Sequence, residues 1–246
     1  MGGFLGFMGA MNRGYIEVYT GAQPANSDAA KTGTLLGTIT SSSLALTKET
    51  RATGTITITA AASGSINTIT AGGLNIIPDG AVNAVAGDTA STALALAEAI
   101  NRNGIMEASV SGSIVTIKGR PGSGTSINLA VVTGTLTTVT ATYANMAGGV
   151  APVNGLILTN PTLGIVSKQT TQVWSFSGLA IGTAGWFRFY GSDTADTSAV
   201  LAAAPWYPRM DGTVAVSGGD MGLSNLSVTV GSPNTVDRFN ITLPAA

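Results

Sequence analysis

The chain contains no cysteine and no histidine. Disulfide bonds and thiolate metal sites are therefore excluded. The lack of histidine also removes the commonest general base, the commonest metal ligand and the usual partner of a catalytic serine. Most hydrolytic and metal-dependent reactions are closed to such a chain. The sequence predicts a protein that is not an enzyme and that binds no cofactor or metal.

Charged residues are scarce as well. They make up 9% of the 246 residues, and the net charge is −1, whereas an ordinary soluble domain carries about 25% charged residues. The 11 basic residues are scattered, so no stripe is present that would bind nucleic acid. No run approaches the ~18 unbroken apolar residues of a membrane span. A surface with so few charges is poorly protected against association, which favours a protein covered by neighbours in an assembly.

Threonine, serine, glycine and alanine take the place of the missing charges, and their pattern is that of β-strands joined by turns. Residues 14–40, GYIEVYTGAQPANSDAAKTGTLLGTIT, begin as a strand, pass through a long polar loop and return to an apolar pair, Leu35-Leu36. After residue 150, the segments QVWSFSGLAI, GWFRFYG, GTVAVSGG, NLSVTVGS and RFNITLPA read as further short strands. Several short strands at this spacing are typical of a sandwich or a barrel.

The middle of the chain has a different pattern. Strand-like runs, GTITITA and GGLNIIPDG, precede a helix, GDTASTALALAEAINRNG, and further strands follow it, with a hairpin turn at Ser111-Gly112. Asp88 or Thr89 can cap the start of the helix, and Gly104 stands where a left-handed C-cap belongs. The predicted apolar face of the helix consists of Ala90, Leu94, Ala97 and either Ile100 or Asn101. A helix on one small sheet is an α+β domain.

These patterns predict a mainly β protein in which one domain is inserted into another. Residues 14–53 and 150–246 would form a discontinuous β-sandwich, immunoglobulin-like or jelly-roll-like, and residues 54–149 would form the inserted α+β domain. Residues 1–13 would be a short helix packed on the body or an arm that docks on a neighbouring subunit.

Three segments could in principle bind a ligand, and in each the structural interpretation is favoured. GRPGSGTSIN, 119–128, lacks the Lys-Ser/Thr pair of a phosphate-binding loop and reads as a flexible hairpin loop. Asp193 and Asp196 are too few for a calcium site and would cap turns or face solvent. PRMDGT, 208–213, reads as a turn ahead of a strand.

Candidate contact residues are aromatic or apolar, because such side chains dominate interface energetics. The N-terminal set is apolar and glycine-flexible. The second set lies between two prolines and is the best aromatic candidate for a contact surface, although anchoring of a loop or core is the favoured interpretation there. The candidate interface residues are Phe4, Leu5, Phe7, Met8, Trp206 and Tyr207. With so few charges, we expect self-association through apolar contact and strand pairing, a trimer being one form of it.

Several of these segments resemble a known family. IEVYTGAQPANSDAAKTGTLLGTIT resembles the opening of a family of small tailed-phage virion proteins, usually encoded beside the major capsid protein, with a Y-[TS]-G-x-Q-P-A-[ND] signature. GTAGWFRFYG, PRMDGTVAVSGGDMGLSN and RFNITLPA are similar to later strands of that family, in the same order. The resemblance covers residues 14–46 and 154–246 and implies a virion component.

The middle segment resembles a different module. AVAGDTASTALALAEAINRNGIMEASVSGSIVTIKGRPGSGTSINL is similar to an α+β domain of tail-sheath proteins of Mu-like phages, and similar pieces occur in flagellar hook-associated proteins. In those proteins it is an outward decoration or a packing module, and it has no catalytic role. This chain lacks a sheath core, so the resemblance does not imply sheath function.

The two resemblances together imply a bacteriophage virion protein. We expect a capsid decoration or cement protein whose partners are the major capsid protein or other virion proteins, in a homo-oligomer that binds neither nucleic acid nor membrane. The alternatives are a tail or neck component, or a protein that attaches to a glycan on the host surface.

Overall fold

The computed structural model describes residues 9, 11–160, 162, 164–193 and 208–242. Its strands, in chain order, are β1 (Tyr15–Thr20), β2 (Leu35–Ser41), β3 (Thr53–Ala71), β4 (Leu74–Asn75), β5 (Val82–Asn83), β6 (Glu107–Ser111), β7 (Ile114–Lys118), β8 (Val132–Ala147), β9 (Ile165–Ser167), β10 (Trp174–Ser177), β11 (Gly182–Tyr190), β12 (Arg209–Ala215), β13 (Met221–Leu223), β14 (Ser227–Val228) and β15 (Pro233–Thr242). Helix α1 (Thr89–Asn103) lies between β5 and β6. The protein is mainly β, as predicted.

The chain divides into two compact units, residues 1–49 with 152–246 and residues 50–151. The sequence places these boundaries at 53/54 and 149/150. In the first unit, the backbones of Thr47 and Val153 pair through two hydrogen bonds of 3.1 and 2.9 Å. The chain therefore leaves this unit and returns to it at neighbouring points.

Seven strands of the first unit close into a barrel in the order β1-β2-β10-β15-β13-β12-β11, and β11 pairs back with β1. All these pairings are antiparallel except that of β12 with β13. The expected sandwich is therefore wrong. A sandwich needs two sheets with edges, whereas β1 is hydrogen-bonded to β2 on one side and to β11 on the other, which joins the strands into one closed sheet.

Large side chains fill the barrel. Trp174 and Phe176 are fully buried and belong to the barrel core. The ring of Phe239 lies 5.2 Å from that of Trp174, 5.7 Å from Phe187 and 5.6 Å from Phe189, measured between centroids. Two glycines leave room for these rings. A Cβ atom at Gly37 would come within 2.0 Å of Phe176, and one at Gly212 within 2.5 Å of Phe187.

The second unit is built on a long two-stranded ribbon, β3 and β8, where the sequence predicted separate shorter strands. β3 also pairs with β7, β5 and β4, and β6 pairs with β7. The ribbon bends where its register shifts between Ala61 and Ser65, opposite Thr138 with φ 54°. Its two ends come together, since the amide of Val132 donates to Asn145 Oδ1 at 3.1 Å. The ribbon thus encloses its own core.

Helix α1 covers that core, and both of its predicted caps are confirmed. Asp88 accepts a hydrogen bond from the Ser91 amide at 2.9 Å, and Gly104 has φ 60°. The predicted apolar face is only partly right, since Leu94 is 47% exposed. The buried residues of the helix are Thr92, Ala93, Leu96, Ala97, Ala99 and Ile100. Ala97 and Ile100 belong to both sets, whereas Leu96 is buried in place of Leu94 because the sheet lies on its side of the helix.

Candidate functional site

The outer face of the barrel along β1, β11 and β12 is buried. Its side chains alternate with the core residues of the same strands and so point away from the barrel interior. We call this set the outer cluster: Tyr15, Glu17, Tyr19, Trp186, Arg188, Tyr190 and Asp211. The tyrosines, Trp186 and Arg188 are each at most 3% exposed. The outer cluster is therefore a second core, outside the barrel wall.

Aromatic pairs across β1 and β11 organise the outer cluster. The rings of Tyr15 and Tyr190 stack with centroids 4.9 Å apart, and those of Tyr19 and Trp186 stack at 4.7 Å. Each pair lies directly opposite in the strand register, the position at which cross-strand side chains interact most strongly. The guanidinium of Arg188 lies 5.5 Å from the Trp186 ring, within the range of a cation–π contact.

A buried ion pair lies at the centre of the outer cluster. Arg188 Nε donates to Asp211 Oδ1 at 2.6 Å, and Arg188 Nη2 donates to Oδ2 at 2.7 Å. Both side chains are at most 2% exposed. Burial alone would lower the pKa of Arg188, but the hydrogen bond and charge of Asp211 raise it above its ordinary value. Arg188 therefore stays charged, and the two-pronged geometry pairs its guanidinium with both oxygens of Asp211.

The polar loop of residues 21–34 runs over the outer cluster. Arg188 Nη1 donates to the carbonyl oxygen of Ala29 at 2.9 Å, and Nη2 approaches that of Asn26 at 3.4 Å. A guanidinium has five N–H donors in a fixed fork, so one side chain can bind β12 and the loop together. The loop between β1 and β2 is thus held on the barrel wall by Arg188.

Glu17 forms a second attachment for the same loop. Lys31 Nζ lies 3.1 Å from Glu17 Oε2, and the Tyr19 hydroxyl donates to the same oxygen at 2.5 Å. Burial, followed by the hydrogen bond to Glu17, raises the pKa of Tyr19 well above its usual range. Tyr19 therefore remains a neutral donor, and the arrangement positions a loop without presenting a reactive group.

Sequence reasoning missed Arg188, Asp211 and Glu17. PRMDGT was interpreted as a turn, but Arg209–Ala215 is strand β12, with Asp211 opposite Arg188. The available signal was a single charged residue between aromatic or apolar residues in each of YIEVY and WFRFY. Burial of charges at such positions requires partners of opposite sign.

Asp193 is also placed differently from the prediction. It is 2% exposed and forms an isolated bridge with Glu49, which is fully buried. The amide of Glu49 donates to the carbonyl oxygen of Ser192 at 2.7 Å, which holds the two segments together. Asp193 is therefore not a solvated loop residue. Among the described residues, no group of three or more acidic side chains could hold a metal ion.

Other predicted sites lie in loops or outside the described part of the chain. Residues 119–128 form a loop between β7 and β8, as interpreted from the sequence. Asp196 and all the candidate interface residues, Phe4, Leu5, Phe7, Met8, Trp206 and Tyr207, lie outside the described residues. So does most of the predicted N-terminal segment, residues 1–13.

A polar groove of about 370 Å³ lies between helix α1 and the segment around β5. Its polar walls are formed by Asp79, Asn83, Glu98, Arg102 and Asn103, and its floor includes Ala95 and Ala99. Glu98 and Arg102 are four residues apart and so lie on one helix face. Carboxylate, amide and guanidinium groups around a small apolar floor can bind a ligand that carries several hydroxyl groups.

No helix within the described ranges is long and apolar enough to cross a membrane. Comparisons with family models, with curated proteins and with solved structures give no match to this chain.

Proposed function

We propose that this chain is a non-enzymatic structural protein of a tailed-phage virion and that it decorates the capsid. In this role it binds the major capsid protein and adds protein–protein contacts to the capsid lattice. The sequence resemblance supplies the virion context. The low charge of the chain supports attachment by apolar and backbone contacts rather than by long-range electrostatic attraction.

One observation carries the proposal: the separated segments of the family-like signature converge in the outer cluster. YTGAQPAN supplies Tyr19 and Asn26, GWFRFYG supplies Arg188, and PRMDGT supplies Asp211. Arg188 and Asp211 bind each other, and Arg188 also binds the loop of residues 21–34. This supports a structural framework, rather than a catalytic centre, as the common property of the signature.

We also propose that residues 50–151 form an inserted domain that acts as a decorating module. The pairing of Thr47 with Val153 and that of Thr50 with Val150 place the incoming and outgoing chains side by side. Insertion is best tolerated where two such chain ends are close together. The resemblance of this segment to modules on other phage and flagellar proteins supports the same role.

The copy number of the chain in purified particles tests the capsid role. Quantitative mass spectrometry would compare it with the major capsid protein. A copy number comparable with that of the capsid subunit supports decoration, whereas a handful of copies per particle would place the chain in the neck or tail. Absence of the chain from purified particles would overturn every virion assignment.

The polar groove favours one second candidate, attachment to a glycan on the host surface. Sugars present many hydroxyl groups, and the groove offers both donors and acceptors for them. Isothermal titration of the full chain with purified host polysaccharide tests this function. Glu98→Ala should abolish the binding heat, and Ser109→Ala, at an exposed position outside the groove, should leave it unchanged. No binding by the unaltered chain would remove this candidate.

A further inference from the structure

The outer edge of β8 is the feature that the proposed function does not use. β8 is 16 residues long and pairs with β3 along one side only. Val139–Tyr143, next to the ribbon bend, has no second strand beside it within the second unit, all of which is described. β8 also has no charged residue and no proline. Such an edge can pair with another strand, and proteins normally protect it.

Asparagine side chains bind backbone groups at two other places in this unit. On β6, Asn101 Nδ2 donates to the carbonyl oxygen of Ala108, and the Ala108 amide donates to Asn101 Oδ1, both at 2.8 Å. Asn128 binds the amide and the carbonyl of Gly149 in the same way, at 2.8 and 2.9 Å. An asparagine amide offers the donor and the acceptor that a neighbouring strand would offer. Within the second unit, no side chain binds the backbone of Val139–Tyr143 in this way, so that stretch of β8 stays open.

An exposed leucine lies at the end of the open edge. Leu129 is 82% exposed and has φ 65°, a conformation that bulky residues rarely adopt. Its amide donates to the carbonyl oxygen of Met146 in β8 at 2.7 Å, and the Met146 amide donates to Ala130 at 3.0 Å. The backbone on both sides thus holds Leu129 in place. A strained backbone conformation that neighbouring hydrogen bonds maintain points to a functional role for the exposed side chain of Leu129.

We propose that a second copy of this chain pairs its β8 antiparallel to this edge, about a two-fold axis, so that the two sheets become continuous. Charge argues for a second copy as the partner. In a strand paired with its own copy, a charge near the axis faces the same charge, which is destabilising. β8 carries none. Leu129 and the exposed Val131 beside it then pack against the partner. This inference does not depend on a place in a virion.

Cysteine scanning tests the pairing directly, because the chain has no cysteine of its own. Thr140→Cys, Thr142→Cys and Ala144→Cys place single thiols on exposed positions of one strand face. Oxidation should give a disulfide-linked dimer with the highest yield at the position nearest the axis and lower yields at the other two, because a disulfide needs close Cα atoms. Ser109→Cys, on the same face of β6 and away from β8, is the control and should give no disulfide-linked dimer.

Sedimentation of the full chain provides the second measurement. The unaltered protein should form dimers, and Thr142→Lys should weaken them about tenfold by placing like charges near the axis. Ser109→Lys should have no effect on the dimer. Leu129→Asn should weaken the dimer while leaving the thermal melt at or above that of the unaltered chain, since asparagine adopts a left-handed φ more readily. A monomer at concentrations on the order of 100 μM, or a dimer with uniform cysteine yields, would overturn the proposal.

Discussion

Arg188 lies directly opposite Asp211 across strands β11 and β12, and the two side chains form a two-pronged ion pair outside the barrel core. Both side chains are almost completely buried. A second ion pair, between Lys31 and Glu17, also holds the loop of residues 21–34, and its side chains are 29% and 13% exposed. Because only the Arg188–Asp211 pair is buried, loss of one partner should change the free energy of unfolding more for this pair than for the other.

Asp211→Asn should destabilise the barrel by about 3–5 kcal/mol, because it leaves the buried charge of Arg188 uncompensated. Urea unfolding monitored by tryptophan fluorescence measures this, since Trp186 lies in the outer cluster. Lys31→Met is the control and should cost less than about 1 kcal/mol, as for an exposed pair. The double variant Arg188→Met/Asp211→Leu should recover most of the loss. Equal effects of Asp211→Asn and Lys31→Met would contradict this account.

The capping of helix α1 by Asp88 should make stability depend on pH. Hydrogen bonds from the amide and the hydroxyl of Ser91 lower the pKa of Asp88 below its ordinary value. Because the pKa is lowered in the folded state, the stabilisation that the Asp88 carboxylate provides is complete above the ordinary aspartate range. This stabilisation is lost as pH falls through the lowered pKa. Asp88→Ala should therefore melt at a lower temperature than the unaltered chain at neutral pH, with the difference shrinking in acid. Asp88→Asn, which keeps an acceptor without the charge, should have no such pH dependence of its own. A difference that stays constant with pH would refute the role of the charge.

Asn101→Ala should destabilise the second unit and expose the edge of β6. Both hydrogen bonds to Ala108 are lost, which should cost about 1–2 kcal/mol. Asn103→Ala removes one hydrogen bond inside the helix, to the carbonyl oxygen of Ala99, and leaves β6 protected. Dynamic light scattering after mild heating should detect aggregation for Asn101→Ala and not for Asn103→Ala. Aggregation of both variants to the same extent would argue against edge protection.

Removing residues 50–151 should leave a folded barrel. A short Gly/Ser linker from Glu49 to Pro152 spans a small gap, because Thr47 and Val153 are already paired. Near-ultraviolet circular dichroism should retain the signals of the buried tryptophans Trp174 and Trp186, with a single cooperative melt. Residues 50–151, expressed alone, should also melt cooperatively, since helix and ribbon share one core. A barrel that loses its cooperative melt would mean that the two units depend on each other for folding.

Local features of the second unit were the most predictable from sequence. Asp88 and Gly104 act on backbone groups within a few residues of themselves, so their roles could be predicted without knowing what surrounds the helix. The buried face was predicted only in part, because which stripe packs depends on the sheet. Asn101, one of the candidates for that face, instead binds the edge of β6.

The outer cluster could not be predicted from sequence. Its residues come from β1, β11, β12 and the loop of residues 21–34, and Arg188 is 159 residues from Ala29 in the chain. An aspartate followed by glycine has the local signature of a turn. Asp211 and Gly212 lie in a strand instead, because the barrel offers a partner for the charge and a space beside Phe187 that only a glycine fits.

The sequence by itself determined the β-rich composition, most of the short strands after residue 150 with their alternating core residues, and the capped helix. These follow from the side-chain period of each element and from contacts within one turn. Only the tertiary structure decided that the strands close into a barrel, that the β3–β8 ribbon folds back on itself, and that the signature loop is bound by Arg188. Backbone hydrogen bonds between strands are the same for every sequence. The choice of partner strand therefore depends on how distant side chains pack together.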